Sequence, residues 1–255
     1  MMTKSKLLLA PDHLSGCLFA GVHRDTRGAD LAAEDRVNHF PASVLVAVSL
    51  VSLSELFVLP ADRDWRDVSG LPVLPRLTVT GPIDVPVSSW AAGEVVATTF
   101  AFYPDAWRQM GGAEDEVEAG WTAFCDVLTT IWATSRASSW PSAVGISDWA
   151  RGVTTRAAFS ARGRSLRAFE RRFKRLSGHS RRTPEFHSSF ENLHQLSRRH
   201  AGEPLAEIAT EAGYSDQSHM GRAVRRATGF SPAYLNRAIE TQEAFWCYRL
   251  LGERF

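Results

Sequence analysis

The sequence has few cysteines and lacks any long apolar segment. Its 255 residues include three cysteines, which lie far apart and form no Cys-x-x-Cys pair: Cys17, Cys125 and Cys247. This spacing argues against both a disulfide scaffold and a zinc site. No run approaches the roughly 18 uninterrupted apolar residues of a membrane span, and the apolar run near the start is too short for a signal peptide. We therefore expect a cytoplasmic protein that has no membrane partner.

Signals of catalysis are also missing. The eight histidines are scattered, and no glycine-rich phosphate loop occurs. His187 and His194 are able to share one helix face, but no nearby cysteine or acidic pattern completes a metal site. Cys17 and Cys125 lack flanking proton acceptors in the sequence. The chain is therefore expected not to be an enzyme and to hold no metal or cofactor.

Charge is divided unequally along the chain. The formal net charge of +1 conceals 10 Lys and Arg against 17 Asp and Glu in residues 1–140, and 19 against 11 in residues 141–255. An acidic segment joined to a basic one is typical of two domains with different partners. The second half is therefore the candidate for binding a polyanion.

The first half has the pattern of β-strands. Short β-branched runs such as SVLVAVSLV (43–51) and GEVVATTFAFYP (93–104) are separated by Pro and Gly. One helix is indicated at 116–135, and beyond a Ser-rich segment only helical patterns remain. We predict an α+β fold that consists of a β-rich, barrel-like or sandwich-like domain at 1–136, a linker at 137–146 and an all-α domain at 147–255.

The helical half contains a helix-turn-helix pattern. In PLAEIATEAG (204–213) the apolar residues recur at helical spacing, and Gly213 stands where a helix ends in the left-handed conformation. Ser215 is a suitable N-cap for a second helix, in which an apolar stripe begins at Met220 and which Gly229 closes. Two short helices joined by a glycine-containing turn form a helix-turn-helix unit.

The opposite face of this second helix carries side chains suited to reading DNA. The first residues of such a helix meet base edges in the major groove, where Gln pairs with adenine and Arg with guanine, while Ser and His donate or accept. Arginines farther along the helix are placed for phosphates. The candidate base-reading residues are Gln217, Ser218, His219 and Arg222, and the candidate phosphate-binding residues are Arg225 and Arg226.

A second copy of this helix lies 51 residues upstream. FERRFKRLSGHS (169–180) aligns without gaps on MGRAVRRATGFS (220–231), so that apolar, basic and glycine positions coincide. Ser147 is the expected N-cap of the preceding helix, and the turn glycine, Gly163, is one place out of register with the later unit. Glu170 is able to accept from a cytosine amine or to orient a neighbouring arginine. The candidate DNA-binding residues of this first unit are Arg167, Glu170, Arg171, Lys174 and Arg175.

A longer helix is predicted between the two units, over residues 183–204. About 17 helical residues span roughly 25 Å, and successive major-groove openings on one face of DNA recur at about 34 Å. Two reading helices held on one linker helix therefore fit adjacent turns of a duplex.

These motifs resemble the DNA-binding domain of the AraC/XylS family of transcriptional regulators. LAEIATEAGYSDQSHMGRAVRRATGFSPAYLNR (205–237) is similar to the family signature over its whole length, and RSLRAFERRFKRLSGHS (164–180) is similar to the first reading helix of the family. One departure is Met220 in place of the usual Phe or Leu, and we expect the packing to survive it. The resemblance implies units at about 147–180 and 204–230, a C-terminal helix after them, and entry into consecutive major grooves.

The first half resembles, less specifically, the β-rich sensor-like domains that precede this module in one subgroup of the family, over HFPASVLVAVSL (39–50) and residues 77–107. In the family such domains bind an effector or mediate dimerisation. We therefore expect a sequence-specific regulator controlled through its first half, and residues 141–255 are expected to bind DNA by themselves. The expected partners are double-stranded promoter DNA first, with a small-molecule effector, RNA polymerase and a second copy of the chain as further candidates.

Two other functions fit parts of this pattern. An enzymatic or repair-type first half, fused to the same helical module, would require a metal or a low-pKa thiolate. A largely non-specific DNA-binding protein would coat a duplex regardless of sequence, and the outward Gln, Ser and His side chains favour base reading over coating.

Overall fold

The protein is described by a computed structural model over residues 3–61, 63–111, 121–135, 141–199 and 205–253. Strands come first along the chain and helices follow, as the sequence predicts. The strands are β1 (Lys4–Leu9), β2 (Leu18–Asp25), β3 (Val37–Phe40), β4 (Val46–Leu53), β5 (Leu56–Leu59), β6 (Leu77–Thr80), β7 (Val87–Ala91) and β8 (Val96–Phe102).

The strands form two antiparallel sheets. One has the order β1-β2-β8-β4-β6, and the other has the order β3-β7-β5. In β4, the β-branched and apolar residues Val46, Val48 and Leu50 are buried and alternate with half-buried positions, as expected of a strand with one face on the core. The described strands do not close into a barrel, so of the two predicted forms the barrel is wrong and an arrangement of two open sheets is found.

The helices follow β8. They are α1 (Pro104–Met110), α2 (Trp121–Ser135), α3 (Ile146–Ser160), α4 (Leu166–Ser177), α5 (Arg182–Arg199), α6 (Leu205–Glu211), α7 (Gln217–Thr228), α8 (Pro232–Thr241) and α9 (Trp246–Glu253). Among the residues that the structure describes, no helix has both the length and the apolar character needed to cross a membrane.

Several predicted boundaries fall close to the observed ones. The helix predicted at 116–135 is present as α2, and its first five residues lie outside the described part of the chain. Of the predicted linker 137–146, residues 137–140 also lie outside it, and α3 begins at Ile146. The C-terminal helical segment is broken at Gln242, where the backbone is extended between α8 and a short 3-10 turn.

The β-rich half (residues up to 135) and the helical half (residues from 141) share their hydrophobic cores. One core joins Phe100 and Tyr103 of the β-rich half to Trp149 in α3 and Phe173 in α4. The other joins strand residues such as Val37 to the buried faces of α6, α7 and α8. Near the end of the chain, the aromatic side chains of Phe245, Trp246 and Tyr248 are all buried. The two halves are therefore packed together extensively.

Candidate nucleic-acid interface

The second helix-turn-helix unit consists of α6 and α7. Gly213 follows α6 with a φ of +83°, which confirms the predicted left-handed end, and the Tyr214 N–H donates to the Ala209 carbonyl over 2.9 Å. The expected N-cap, Ser215, is wrong, because the cap is Asp216: its Oδ1 accepts from the His219 N–H at 2.7 Å. A carboxylate complements the positive end of the helix dipole better than a hydroxyl.

The ionised form of the Asp216 carboxyl is stabilised by hydrogen bonds at the start of α7. The hydrogen bond from the His219 N–H, assisted by one from the Ser215 hydroxyl, lowers the pKa of the Asp216 carboxyl. Asp216 is therefore ionised at neutral pH, and it fixes the start of α7. The same cap positions His219, whose ring contacts the edge of Tyr214 at 5.2 Å between centroids and whose Nδ1 lies 3.3 Å from the Ser215 hydroxyl.

One face of α7 is buried and the opposite face is open. Met220, Val224 and Ala227 are all at most 3% exposed and pack with apolar residues of α5 and α8. The replacement at Met220 therefore leaves the packing intact, as expected. Because residues three and four apart share a helix face, burial of this stripe turns Ser218, Arg222 and Arg225 outward.

The internal repeat extends to the backbone of the two reading helices, α4 and α7. Both have 12 residues, and their N-caps, Ser165 and Asp216, are 51 positions apart. Both end at a glycine, Gly178 or Gly229, with a φ of 84° and a ψ of −9°. In each helix the last residue, Ser177 or Thr228, donates its hydroxyl to the carbonyl four residues earlier. The predicted repeat is thus a repeat of conformation.

The first unit consists of α3 and α4, and its start differs from the prediction. Ser147 is not the N-cap, because α3 begins one residue earlier, at Ile146, after Gly145. The carboxylate of Glu191 in α5 accepts from the Ile146 N–H at 2.9 Å and takes the role of a capping side chain. The turn then passes through Gly163, whose φ is +72°.

All of the predicted DNA-binding residues are exposed. In the described part of the chain, no carboxylate lies within ion-pair distance of their cationic groups, so these charges are open to an external anion. On α4 the exposed candidates are Arg167, Glu170, Arg171, Lys174 and Arg175, and on α7 they are Gln217, Ser218, His219, Arg222, Arg225 and Arg226.

Arg226 has an intramolecular partner. Its guanidinium lies 4.4 Å from the centroid of the Phe186 ring in α5, a cation–π contact between the reading helix and the linker helix. The side chain is therefore directed toward α5.

The predicted linker helix is α5, and it contacts both units. It packs on α3 of the first unit and on α6 and α7 of the second. It covers Arg182–Arg199, whereas the prediction was 183–204, of which residues 200–204 lie outside the described part. His187 in this helix is 4% exposed, and burial lowers its pKa to about 4. A neutral histidine is therefore buried in the first half of the helix that joins the units.

One exposed residue of the first unit was not selected from the sequence. Leu166 is 69% exposed at the first position of α4, and it is the repeat equivalent of Gln217 in α7. The 51-residue offset identifies it, whereas a search for charged and amide side chains does not, because Leu166 is apolar.

The thiols of Cys125 and Cys247 do not have the environment of nucleophiles. Cys17, Cys125 and Cys247 are all buried. Burial raises the pKa of the Cys125 thiol to about 11 and that of the Cys247 thiol to about 12. Neither of these two groups is a thiolate at neutral pH, so neither supports the enzymatic alternative.

Comparison with known proteins assigns a described domain type to the segment from α4 to α8. The family model for a helix-turn-helix domain matches residues 160–238. No curated protein matches the sequence. Among solved structures, ToxT from Vibrio cholerae is similar at 5% identity and a TM-score of 0.39, over 92% of this chain and 97% of that one.

A second structure of ToxT, from Vibrio cholerae O395, is similar at 7% identity and a TM-score of 0.38, over 91% of this chain and 96% of that one. The AraC-like transcriptional activator CuxR is similar at 10% identity and a TM-score of 0.20, over 98% of this chain and 100% of that one. At such TM-scores these similarities carry no argument about a ligand. The match over residues 160–238, together with the observed helix-turn-helix geometry, identifies this part of the chain as a helix-turn-helix domain.

Proposed function

We propose that the protein is a sequence-specific transcriptional regulator whose two helix-turn-helix units read adjacent major grooves. The observation that carries this proposal is the repeated reading helix. The chain contains two 12-residue helices that each start at a capping side chain and end at a glycine in the left-handed conformation. Each helix buries an apolar stripe and exposes a cationic face. A helix face that serves only solubility does not require the same backbone conformation in two helices.

The second unit supplies the clearer set of base contacts. Gln217 and Ser218 stand at the start of α7, and Arg222 is one turn farther on the exposed face. Arg222 is suited to a bidentate contact with guanine and Gln217 to one with adenine. His219 is oriented by Tyr214, which restricts the directions in which its ring nitrogens donate or accept. Arg225 and Arg226 then bind phosphates.

The first unit reads bases with Arg167, Glu170 and Arg171 and binds phosphates with Lys174 and Arg175. Its helix carries one acid and five cations, against no acid and three cations on α7. The first unit therefore provides more of the sequence-independent attraction to DNA, and the second unit provides more of the selection between bases.

Leu166 adds an apolar contact to the first unit. At the start of α4 an exposed apolar side chain is suited to the C5-methyl group of thymine, which only a T·A pair presents in the major groove. Leu166→Gln copies the residue of the second unit at this position. We expect this variant to lose a preference for thymine and to gain one for adenine, as measured by the sequences it selects from random DNA.

Control by a small-molecule effector in the β-rich half is the finer part of the proposal. Its support is physical contact: the β-rich half shares a core with each unit, so a ligand that repacks a sheet would act directly on the reading helices. The enzymatic alternative has no comparable support, because the two thiols with shifted pKa are not activated.

Selection of bound sites from random double-stranded DNA with the full-length protein tests the function. The expected result is a site with defined bases and a binding affinity that falls steeply with salt. Arg225→Ala is expected to weaken binding to all sequences alike and to flatten the salt dependence by about one unit.

Arg63→Ala is the matched control for this selection, because it removes an exposed arginine of the β-rich half that donates within that half, to the Ser69 carbonyl. Binding that ignores sequence would favour the coating alternative. An absence of binding would refute the proposal.

A further inference from the structure

The β-rich half contacts the same backbone atom in each reading helix. The Ala42 N–H donates to the Ala227 carbonyl in α7 over 2.8 Å. The guanidinium of Arg108 in α1 donates through Nη2 to the Leu176 carbonyl in α4 and through Nη1 to the Arg175 carbonyl at 2.9 Å. Leu176 and Ala227 are 51 residues apart, which is the repeat offset. The two carbonyls are therefore equivalent positions of the two copies.

These carbonyls belong to the last turn of each helix, where four carbonyl groups have no partner within the helix. Such groups bind water, capping side chains or other parts of the protein. A cationic donor at this end also interacts favourably with the helix dipole, as Arg108 does on α4. Holding a helix by its final carbonyls leaves its outward side chains free, so the contact is compatible with DNA on the open face.

Both anchor points are attached to one end of the same sheet. Ala42, which is 4% exposed, lies just before β4, and Arg108 lies just after β8. β4 and β8 are neighbouring strands, and their paired residues nearest to the anchors are Val46 and Phe102. The two donors therefore flank the same end of one antiparallel strand pair.

We infer that this end of the five-stranded sheet is a clamp that fixes the position of α4 relative to α7. Arg108 is its positioning residue for α4, and the Ala42 N–H holds α7. The linker helix α5 connects the units, and the clamp is a second and independent connection between them. The effect of the clamp on DNA binding rests on the proposed function. In that case the clamp sets which distance the protein accepts between the two DNA sub-sites, one read by each unit.

A distance measurement without DNA tests the clamp directly. Nitroxide labels are placed on the full-length protein at Lys174→Cys and Arg225→Cys, exposed positions that are equivalent in the repeat. The three native cysteines are buried, so labelling is confined to the new sites. Electron–electron double resonance is expected to give one narrow distance distribution, which broadens when Arg108→Ala is added.

Two further variants make this measurement specific. Arg108→Lys keeps one cationic donor and is expected to restore most of the narrow distribution. Arg63→Ala also removes an exposed arginine that donates to a backbone carbonyl, but within the β-rich half, and it is expected to leave the distribution unchanged. An unchanged distribution in Arg108→Ala, with the native circular dichroism spectrum, overturns the clamp.

The DNA consequence is tested with the site selected by the wild-type protein and with copies in which its two sub-sites are one base pair closer or farther apart. The ratio of affinities for native and altered spacing is expected to fall about 5- to 10-fold in Arg108→Ala, because two hydrogen bonds to helix carbonyls are lost.

The outcomes of the two experiments separate the clamp from the proposed function. If the wild-type protein selects no sequence, the proposed function fails. The distance measurement still decides whether the clamp holds α4 and α7 in place. A selected site with one sub-site, or an unchanged spacing ratio in Arg108→Ala, overturns the role of the clamp in spacing.

Discussion

The apolar stripes of the two reading helices are buried to different degrees. In α7 all three stripe residues are buried, whereas of the equivalent residues in α4 only Phe173 is, and Phe169 and Leu176 are half-buried. The caps differ in the same sense: the Asp216 carboxylate accepts over 2.7 Å, and the Ser165 hydroxyl accepts over 3.4 Å. The second reading helix is therefore held more firmly by the helical half itself.

The first unit compensates through contacts with the β-rich half. Asp105, directly after β8, accepts from Trp149 Nε1 at 2.7 Å and from Arg156, both in α3, and the Trp149 ring stacks on Tyr103. With Arg108 on α4, both helices of the first unit are bound to the β-rich half.

The second unit is joined to the same half farther along the chain. Glu243, between α8 and α9, pairs with the buried Arg24 at 2.6 Å and with Arg249 at 2.9 Å. Trp246 Nε1 donates to the Asn38 side chain at 2.8 Å. The two units, whose reading helices have the same backbone conformation, thus depend on different supports. The repeat therefore specifies the reading helix and not its surroundings.

Removal of the Asp105 charge is expected to have the largest effect on stability. Asp105→Asn breaks the ion pair with Arg156 at a site where the Asp105 side chain is 3% exposed, and the expected loss is about 3–5 kcal/mol in the free energy of unfolding. Glu243→Gln is expected to cost less, because the Glu243 side chain is 24% exposed. Urea unfolding of both variants measures the difference between the two supports.

The control for this comparison is Asp148→Asn, which breaks an exposed pair with Arg151 in the same helix as Arg156. Its expected effect is below about 1 kcal/mol. Equal losses for Asp105→Asn and Asp148→Asn would show that the buried pair does not support the first unit.

The next largest effect is expected from lowering the pH, which should reduce the free energy of unfolding through two buried histidines near the second unit. His39 packs between Phe230 and Phe245, and burial lowers its pKa to about 4; burial lowers the pKa of His187 to about 4 as well. The unfolded chain binds these protons at about pH 6.5, so stability is full above that pH and falls as the pH decreases from about 6.5 to about 4. The expected loss is roughly 1.4 kcal/mol for each unit of difference in pKa between the folded and unfolded states.

The measurement is the free energy of unfolding at pH 7 and at pH 5.5, above the range in which most carboxylates titrate. His39→Leu removes one of the two histidines and is expected to reduce the slope between these pH values. A slope identical to that of the wild-type protein would mean that His39 is protonated in the folded state.

Local patterns predicted the helices of the second unit well, because each signal lies within a few residues of the structure it specifies. Gly213 and Gly229 mark helix ends through their own backbone conformation, and the stripe that begins at Met220 follows helical spacing. The N-cap was displaced by one residue, since Ser215 and Asp216 are both good caps and the sequence does not rank them.

Contacts between distant segments could not be predicted in this way. The partners Asp105 and Trp149 are separated by a helix and a linker, and Arg24 and Glu243 are 219 positions apart. The local pattern of a single sequence does not specify which strand a helix packs against. The expectation that residues 141–255 bind DNA alone stays a prediction, and removal of the β-rich half would expose Trp149, Phe173 and Trp246.

A substitution at the equivalent arginine of each unit compares their contributions to base reading. Arg222→Ala is expected to weaken specific binding by about 1–3 kcal/mol and to relax the preference at one base pair. Arg171→Ala is expected to cost less, because α4 is capped more weakly and its stripe is less buried. Titration of the selected site and of a scrambled site with both variants gives the specific part of each loss. A larger specific loss for Arg171→Ala would reverse the assignment of the main reading unit.

The smallest expected effects are at the two glycines that end the reading helices. At a φ of 84° an L-residue other than glycine is strained, so Gly178→Ala and Gly229→Ala are each expected to lose about 1 kcal/mol of unfolding free energy. Their surroundings differ: an added Cβ meets nothing within 4 Å at Gly178 and lies 3.4 Å from Pro86 at Gly229. Equal losses would show that backbone conformation alone sets both ends. A larger loss at Gly229 would mean that the β-rich half also constrains the end of α7, and asparagine, which tolerates this conformation, should restore part of the stability at both positions.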